Sequence, residues 1–218
     1  MASEVDICNL ALGHLGDTAT VASLDPPEGS AQAEHCARFY PIARDALLEM
    51  HPWGFATKRV QLAQLGTGWP EWDYAYAQPA DALNIIAVLP PDASDDYSMG
   101  LNSANVPLAA GGSYVPKAFS CEINPEGKDV IYTDQEDAVL RYTALVTDTT
   151  KFSPLFVMAL SWNLASMLAG PIIKGDQGAA EAKRCTAMMQ AYLSKAAESD
   201  AGQRRINPQH NVGWISGR

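Results

Sequence analysis

The chain changes its hydrophobic period between Ala43 and Arg59, and this change limits the folds open to it. Up to His51, apolar residues recur at helical spacing. Cys36, Tyr40, Ala43, Leu47 and Met50 alternate steps of four and three and form one stripe on a helix. From Arg59 to Leu65 polar and apolar residues alternate, as they do in a half-buried strand. Pro52 disfavours α geometry at His51, so the helix is expected to end there. Trp53 and Phe55 then place two aromatic rings at the exit. The reading this supports is a structural joint of His51, Pro52, Trp53 and Phe55 between a helical part and a β part, with no catalytic role.

The rest of the chain agrees with such a division. Ser3 reads as an N-cap with Asp6 three residues on in a capping-box position. Val5, Cys8, Ala11, Leu12 and Leu15 then share a helical face, and Gly16 is a good stop. The second helix is expected to start between Asp25 and Ser30, with Pro41 kinking or locally breaking it. From Thr57 to Thr150 short runs alternate with turn residues. Trp72, Tyr74 and Tyr76 are expected to share one strand face, and Asn84 to Leu89 is apolar and β-branched until Pro90-Pro91. Asp92 to Gly112 reads as a long loop. Phe119 to Ile123, Val130 to Thr133 and Ala138 to Leu145 read as strands, the first two joined by the turn Asn124-Pro125-Glu126-Gly127. Ser153-Pro154 then opens a helix that is apolar nearly all round and is expected to end at Gly170-Pro171. A fourth helix, from about Gln177 to Ala201, carries the stripe Ala182, Cys185, Met189, Tyr192 and Ala196. The expected fold class is α+β: a mainly α-helical bundle core with a β-rich insertion between helices 2 and 3. The expected boundaries are 1–56 for the first part of the core, 57–150 for the insertion, 151–202 for the second part of the core and 203–218 for a C-terminal anchoring tail.

Composition narrows the function. The 218 residues are 47% hydrophobic, enough for a sizeable core, and carry a net charge of −10 with a pI near 4.7. General adhesion to nucleic acid needs clustered Lys and Arg, which this balance opposes. Four scattered cysteines without C-x-x-C suit reduced core thiols. The start Met-Ala-Ser-Glu-Val-Asp lacks a basic n-region, so no signal peptide is expected. No apolar run is read as long enough to span a bilayer, and no membrane partner is expected.

No catalytic constellation emerges. The phosphate-loop, dinucleotide-binding, zinc-protease and serine-elbow motifs do not occur. His14, in Gly13-His14-Leu15-Gly16, reads as a capping residue. His35 and Cys36 are adjacent on a helix and point to different faces. Asp92, Asp95 and Asp96 lack EF-hand spacing and its closing Glu, so a solvated acidic loop is the simpler reading. Cys121 has no histidine near it in sequence. Trp72, Tyr74 and Tyr76 have no interleaved basic residues and read as packing rather than a base-stacking platform. No catalytic residue, metal or cofactor is assigned.

The final segment, Gln203 to Arg218, has no period and no acidic residue. It places Trp214 and Ile215 in an otherwise polar, weakly basic stretch. This is the expected signature of an anchor that orders on a partner, with Trp214 as its hot spot.

Three passages together resemble a known family. They are Ile7-Cys8-Asn9-Leu10-Ala11-Leu12-Gly13-His14-Leu15-Gly16; Tyr40 through Arg44-Asp45-Ala46-Leu47-Leu48 to His51-Pro52-Trp53-Gly54-Phe55-Ala56; and Tyr74-Ala75-Tyr76-Ala77-Gln78-Pro79-Ala80-Asp81. In this order and spacing they resemble the tail tubular protein A family, the head-to-tail adaptors of tailed bacteriophages. Phe152 to Leu160 also looks like that family's third long helix. Gly54 stands where the family usually has Asn. The resemblance implies a non-enzymatic virion protein, assembled in the host cytoplasm into a homo-oligomeric ring of twelve copies at the head–tail junction. Its implied partners are the portal protein above and a nozzle, stopper or tail-tube protein below, with genomic DNA passing through the lumen without specific binding. It implies that the C-terminal segment docks on the portal, which makes Arg204, Arg205, Ile206, Trp214, Ile215 and Arg218 portal-interface candidates. The alternatives are a neck or tail-completion protein of different symmetry, or a small hydrolase using Asp92, Asp95 and Asp96.

Overall fold

The computed structural model describes residues 2–18, 20–67, 69–91 and 116–203. These residues form a mixed α+β fold. In chain order they give α1 (Glu4–His14), α2 (Ala31–Glu49), β1 (Thr57–Gln61), β2 (Gln64–Thr67), β3 (Tyr74–Ala77) and β4 (Ala82–Leu89), then β5 (Phe119–Ile123), β6 (Asp129–Thr133), β7 (Val139–Ala144), α3 (Pro154–Ile173) and α4 (Gly175–Gly202). Two compact units result. A helical unit holds the residues up to Ala56 and those from Leu145 through α4, and a β unit holds residues 57–144.

The helical unit is organised around α3, which packs against the other three helices. Its buried residues include Phe156, Leu160, Trp162, Leu164 and Leu168, spread round its circumference as an all-round apolar sequence requires. Two polar groups inside are satisfied: Asn163 Nδ2 donates to the Ala43 carbonyl at 3.0 Å and Ser161 Oγ to the Met158 carbonyl at 2.9 Å. Helix starts follow the sequence closely. Ser3 and Asp6 form a reciprocal capping box, and Ser30 and Ser153 each cap the third residue of their helix. Gly16, at φ +75°, closes α1 with Gly16 N–H on the Gly13 carbonyl and Asp17 N–H on the Leu12 carbonyl. Cys8, Cys36 and Cys185 are buried free thiols, and Cys121 is exposed.

Several expectations are corrected here. α2 runs unbroken through Pro41, which lies on its exposed side, so the lost backbone bond is not a buried one. Met50 caps α2 and is 53% exposed rather than part of the buried stripe, while Ala33, Arg44 and Leu48 join the buried face. Gly170-Pro171 does not end α3. Gly170 has no Cβ to clash with the proline ring, and the helix continues to Ile173. The turn comes at Lys174 and Gly175, both at positive φ (61° and 62°). α3 also proves long and apolar enough to cross a membrane by length and composition, although 56% of its most apolar window is buried in the protein. Gly178 packs α4 closely against α3; a Cβ there would meet the Ala169 carbonyl oxygen at 3.0 Å.

The β unit pairs its strands antiparallel in two sheets, ordered β1-β7-β4 and β2-β3-β6-β5. β1 and β2 behave as one bent strand. Leu62 N–H bonds the Ala138 carbonyl and Ala77 N–H the Ala63 carbonyl, each at 2.9 Å, which carries the pairing round the corner. On the other side Lys117 N–H reaches the Val88 carbonyl at 2.8 Å. Between the sheets lie Tyr76, Val88, Ile131, Leu140 and Tyr142. The two buried phenols are satisfied, Tyr76 on the Gln135 carbonyl and Tyr142 on Asp81, which also pairs with Lys58. The turn 124–127 closes as expected, with Gly127 N–H on the Asn124 carbonyl at 2.8 Å. Trp72 does not share a face with Tyr74 and Tyr76. It lies in a turn before β3, bonded to the Trp69 carbonyl, so strand alternation does not reach it. It packs on the opposite face, against Ala75, Val130 and Tyr132.

Candidate functional site

The helix exit at His51-Pro52-Trp53 is a built joint. The Leu47 carbonyl is among the last four of α2 and has no partner within the helix. Trp53 supplies one: its indole N–H donates to that oxygen at 3.0 Å from a fully buried ring. The ring meets Phe156 edge to face at 5.0 Å and lies 5.9 Å from Phe55. Phe55, Phe152 and Phe156 complete an aromatic cluster, with centroids 4.8–5.7 Å apart. These are the separations at which aromatic pairs add to burial energy.

One member of the joint has no signal in the local sequence. Asp200, near the end of α4, accepts the Gly54 N–H on both carboxylate oxygens, at 3.1 and 3.0 Å. The same carboxylate lies 3.4 Å from His51 Nε2. Its partners are 146 or more residues away, so no motif could have announced it. Gly54 suits the position because a Cβ there would lie 3.2 Å from Asp200 Oδ1. Asp200→Ala removes the acceptor of an N–H at an exposed position, where water can take its place, and a hydrogen bond of that kind contributes about 0.5–1.5 kcal/mol. A loss in this range is expected from the shift in denaturant midpoint; a change below about 0.5 kcal/mol would show the clamp to be incidental.

The Gly13-His14-Leu15-Gly16 passage forms a second cluster. The side chain that reaches the last carbonyl of α1 is Arg184 rather than His14: its guanidinium donates to the His14 carbonyl at 3.0 Å and pairs with Glu181. The His14 ring instead stacks on Trp162 at 3.6 Å, nearly parallel, with Nε2 at 3.0 Å from Ser161 Oγ. Ser161 is fully buried and spends its proton on Met158, so the pair offers solvent no nucleophile. His14, Glu181 and Arg184 border an open groove of about 630 Å³ with Ile173, Gln177 and Ala180. Burial, with Arg184 nearby, holds the His14 imidazole below its ordinary range. A histidine depressed in the folded state binds protons more readily when unfolded, so stability rises with pH and is lost as pH falls. Unfolding free energy is therefore expected to drop between about pH 7 and 5, around the unperturbed histidine value of about 6.5. His14→Gln should flatten that slope; an unchanged slope would remove His14 as its cause.

No family model and no curated protein matches the chain. Its reading therefore rests on its own residues. His35 and Cys36 belong to different environments. Cys36 is buried beside Cys8, whose thiol is pushed up by that contact and by burial, while His35 lies 6.2 Å from the Phe39 ring. Among the described residues no three His, Cys, Asp or Glu side chains gather at metal distance. Asp92, Asp95, Asp96, Arg204, Arg205, Ile206, Trp214, Ile215 and Arg218 lie outside the described residues. Of the expected site residues, the structure brings together His51, Trp53 and Phe55 and adds Asp200, Phe152 and Phe156 to them.

Proposed function

We propose that this chain is a structural, non-enzymatic adaptor of a tailed bacteriophage. It forms a ring of twelve copies between portal and tail, lengthens the DNA channel and gives the tail its docking platform. One observation carries the reading: the passages that resemble the adaptor family fall on the parts that build the two units. Ile7 to Gly16 forms α1 and its cap, Tyr40 to Ala56 forms the second half of α2 and the joint, and Tyr74 to Asp81 forms β3 and the turn after it. In this reading the β unit is an insertion carried by the helical core, and the joint sets where it departs. A closed ring needs heterologous contacts, one face of each copy against a different face of the next. An acidic or neutral lumen suits the net charge of −10, because a basic wall would hold DNA by its phosphates.

Native mass spectrometry of the chain mixed with a portal ring of the same phage tests the proposal. The expected product is one portal ring carrying twelve copies. A chain that stays monomeric in the presence of portal would overturn the reading, and six copies would favour a neck protein of other symmetry.

A further inference from the structure

The four-stranded sheet has an apolar outer face. Its inner face sends Tyr76 and Ile131 into the core, while its outer face presents Ala75, Val130 and Tyr132, with Trp72 packed against them. Trp69 borders the same face. It is 53% exposed, and its indole N–H donates to the Tyr132 hydroxyl at 3.0 Å. That bond fixes the ring as a wall shared by two hollows, both within the β unit. One, of about 320 Å³, is mainly apolar and lined by Leu65, Gly66, Ala75, Asn124, Val130 and Tyr132. The other, of about 250 Å³, sets Pro70 and Trp72 beside two carboxylates, Glu71 and Glu122. Ser120 Oγ donates to the Glu122 carboxylate at 2.9 Å and holds it in place. No lysine or arginine is among the described residues that line either hollow.

We propose that this face binds an arginine side chain of a partner protein, presented beside a large apolar side chain. The guanidinium lies between Glu71 and Glu122 against an indole, and the apolar side chain fills the hollow on the other side of Trp69. Charge complementarity selects this occupant. Two carboxylates with no cation beside them leave their hollow negative, so it repels acidic ligands and gains from a cation. Among cationic side chains a guanidinium fits best. It pairs with carboxylates through a planar fork and stacks on aromatic faces, whereas an ammonium is a strongly hydrated point charge. Trp, Tyr and Arg are also the residues that dominate binding energy at protein interfaces, and such residues pair across them. In an extended segment, side chains two residues apart point the same way, roughly 6.5–7 Å apart. An apolar-x-arginine segment therefore offers both groups to two hollows that share one ring as a wall. The inference concerns the β unit alone and holds or fails independently of the adaptor reading.

A peptide titration of the isotope-labelled full chain, followed by NMR, tests this. The probe is N-acetyl-leucyl-seryl-arginine amide, and the control is the same peptide with glutamine in place of arginine. The arginine peptide is expected to shift the Trp69 indole N–H and the Leu65 and Gly66 amides saturably. The glutamine peptide should bind at least about fivefold more weakly, the scale of two partly exposed ion pairs. Glu71→Gln with Glu122→Gln should remove that preference, and added salt should reduce it. Both glutamates are exposed, so the sheet should stay folded, and unchanged resonances elsewhere check that it does. Absence of saturable shifts at Trp69 would overturn the proposal. So would equal binding of the two peptides, or a preference for arginine that survives the double substitution. Shifts at these residues that grow with chain concentration, without peptide, would assign the face to a second copy and overturn the proposal in its present form.

Discussion

Trp53→Ala is expected to cost the helical unit roughly 3–5 kcal/mol, the range for deleting a buried Trp or Phe ring. Three losses coincide at this position. The ring is fully buried, so its whole apolar area is forfeited and a cavity opens against Phe156 and Phe55. The Leu47 carbonyl also loses the indole N–H that satisfies it at the end of α2. Domains have only about 5–15 kcal/mol in total, so the variant should be marginally folded at best. Denaturant titration followed by helical circular dichroism measures the loss. Met50→Ala, three residues away and 53% exposed, is the control and should stay within about 0.5 kcal/mol of wild type. A Trp53→Ala loss near 1 kcal/mol would mean that the joint relaxes to fill the space. Any assembly defect should follow the fraction folded, because Trp53 presents no surface to a partner.

Removing residues 207–218 is expected to do the opposite, abolishing docking on the portal while leaving unfolding unchanged. The cut falls beyond α4, which ends at Gly202, so it removes none of the described packing. What goes is the pair Trp214 and Ile215 with Arg218. A buried Trp hot spot is worth about 2 kcal/mol or more, roughly thirtyfold in affinity, and the deletion takes its neighbours as well. Co-sedimentation of the truncated chain with portal rings is the measurement. Normal complex formation by a folded truncated chain would remove the tail as the anchor.

Much of the fold could be read from the sequence, for local reasons. Ser3, Ser30 and Ser153 cap helices because their hydroxyls sit one turn before an apolar period. β5 was legible to the residue, because its turn is written in Asn124-Pro125-Glu126-Gly127. What escaped was set by tertiary contacts. Pro41 and Pro171 are breakers by local rule, yet α2 and α3 run through them. Trp72 looked like a strand residue by spacing but belongs to a turn. Residues 145–151 group with the helices although they follow β7 directly, and a 3-10 turn at Thr149–Lys151 leads them into the Phe152 cluster. At the joint, Trp53 and Phe55 were visible as an aromatic exit, whereas Asp200 was not. A carboxylate that binds a backbone N–H 146 residues away leaves no trace in composition or period.

An image of the assembled particle, with this chain located by a tag, tests the adaptor proposal most directly. The proposal predicts twelve copies in one ring beneath the portal, the helical units forming the ring and the lumen neutral or acidic. The tag found elsewhere in the particle or outside it, or a ring with a continuous basic lumen, would contradict it.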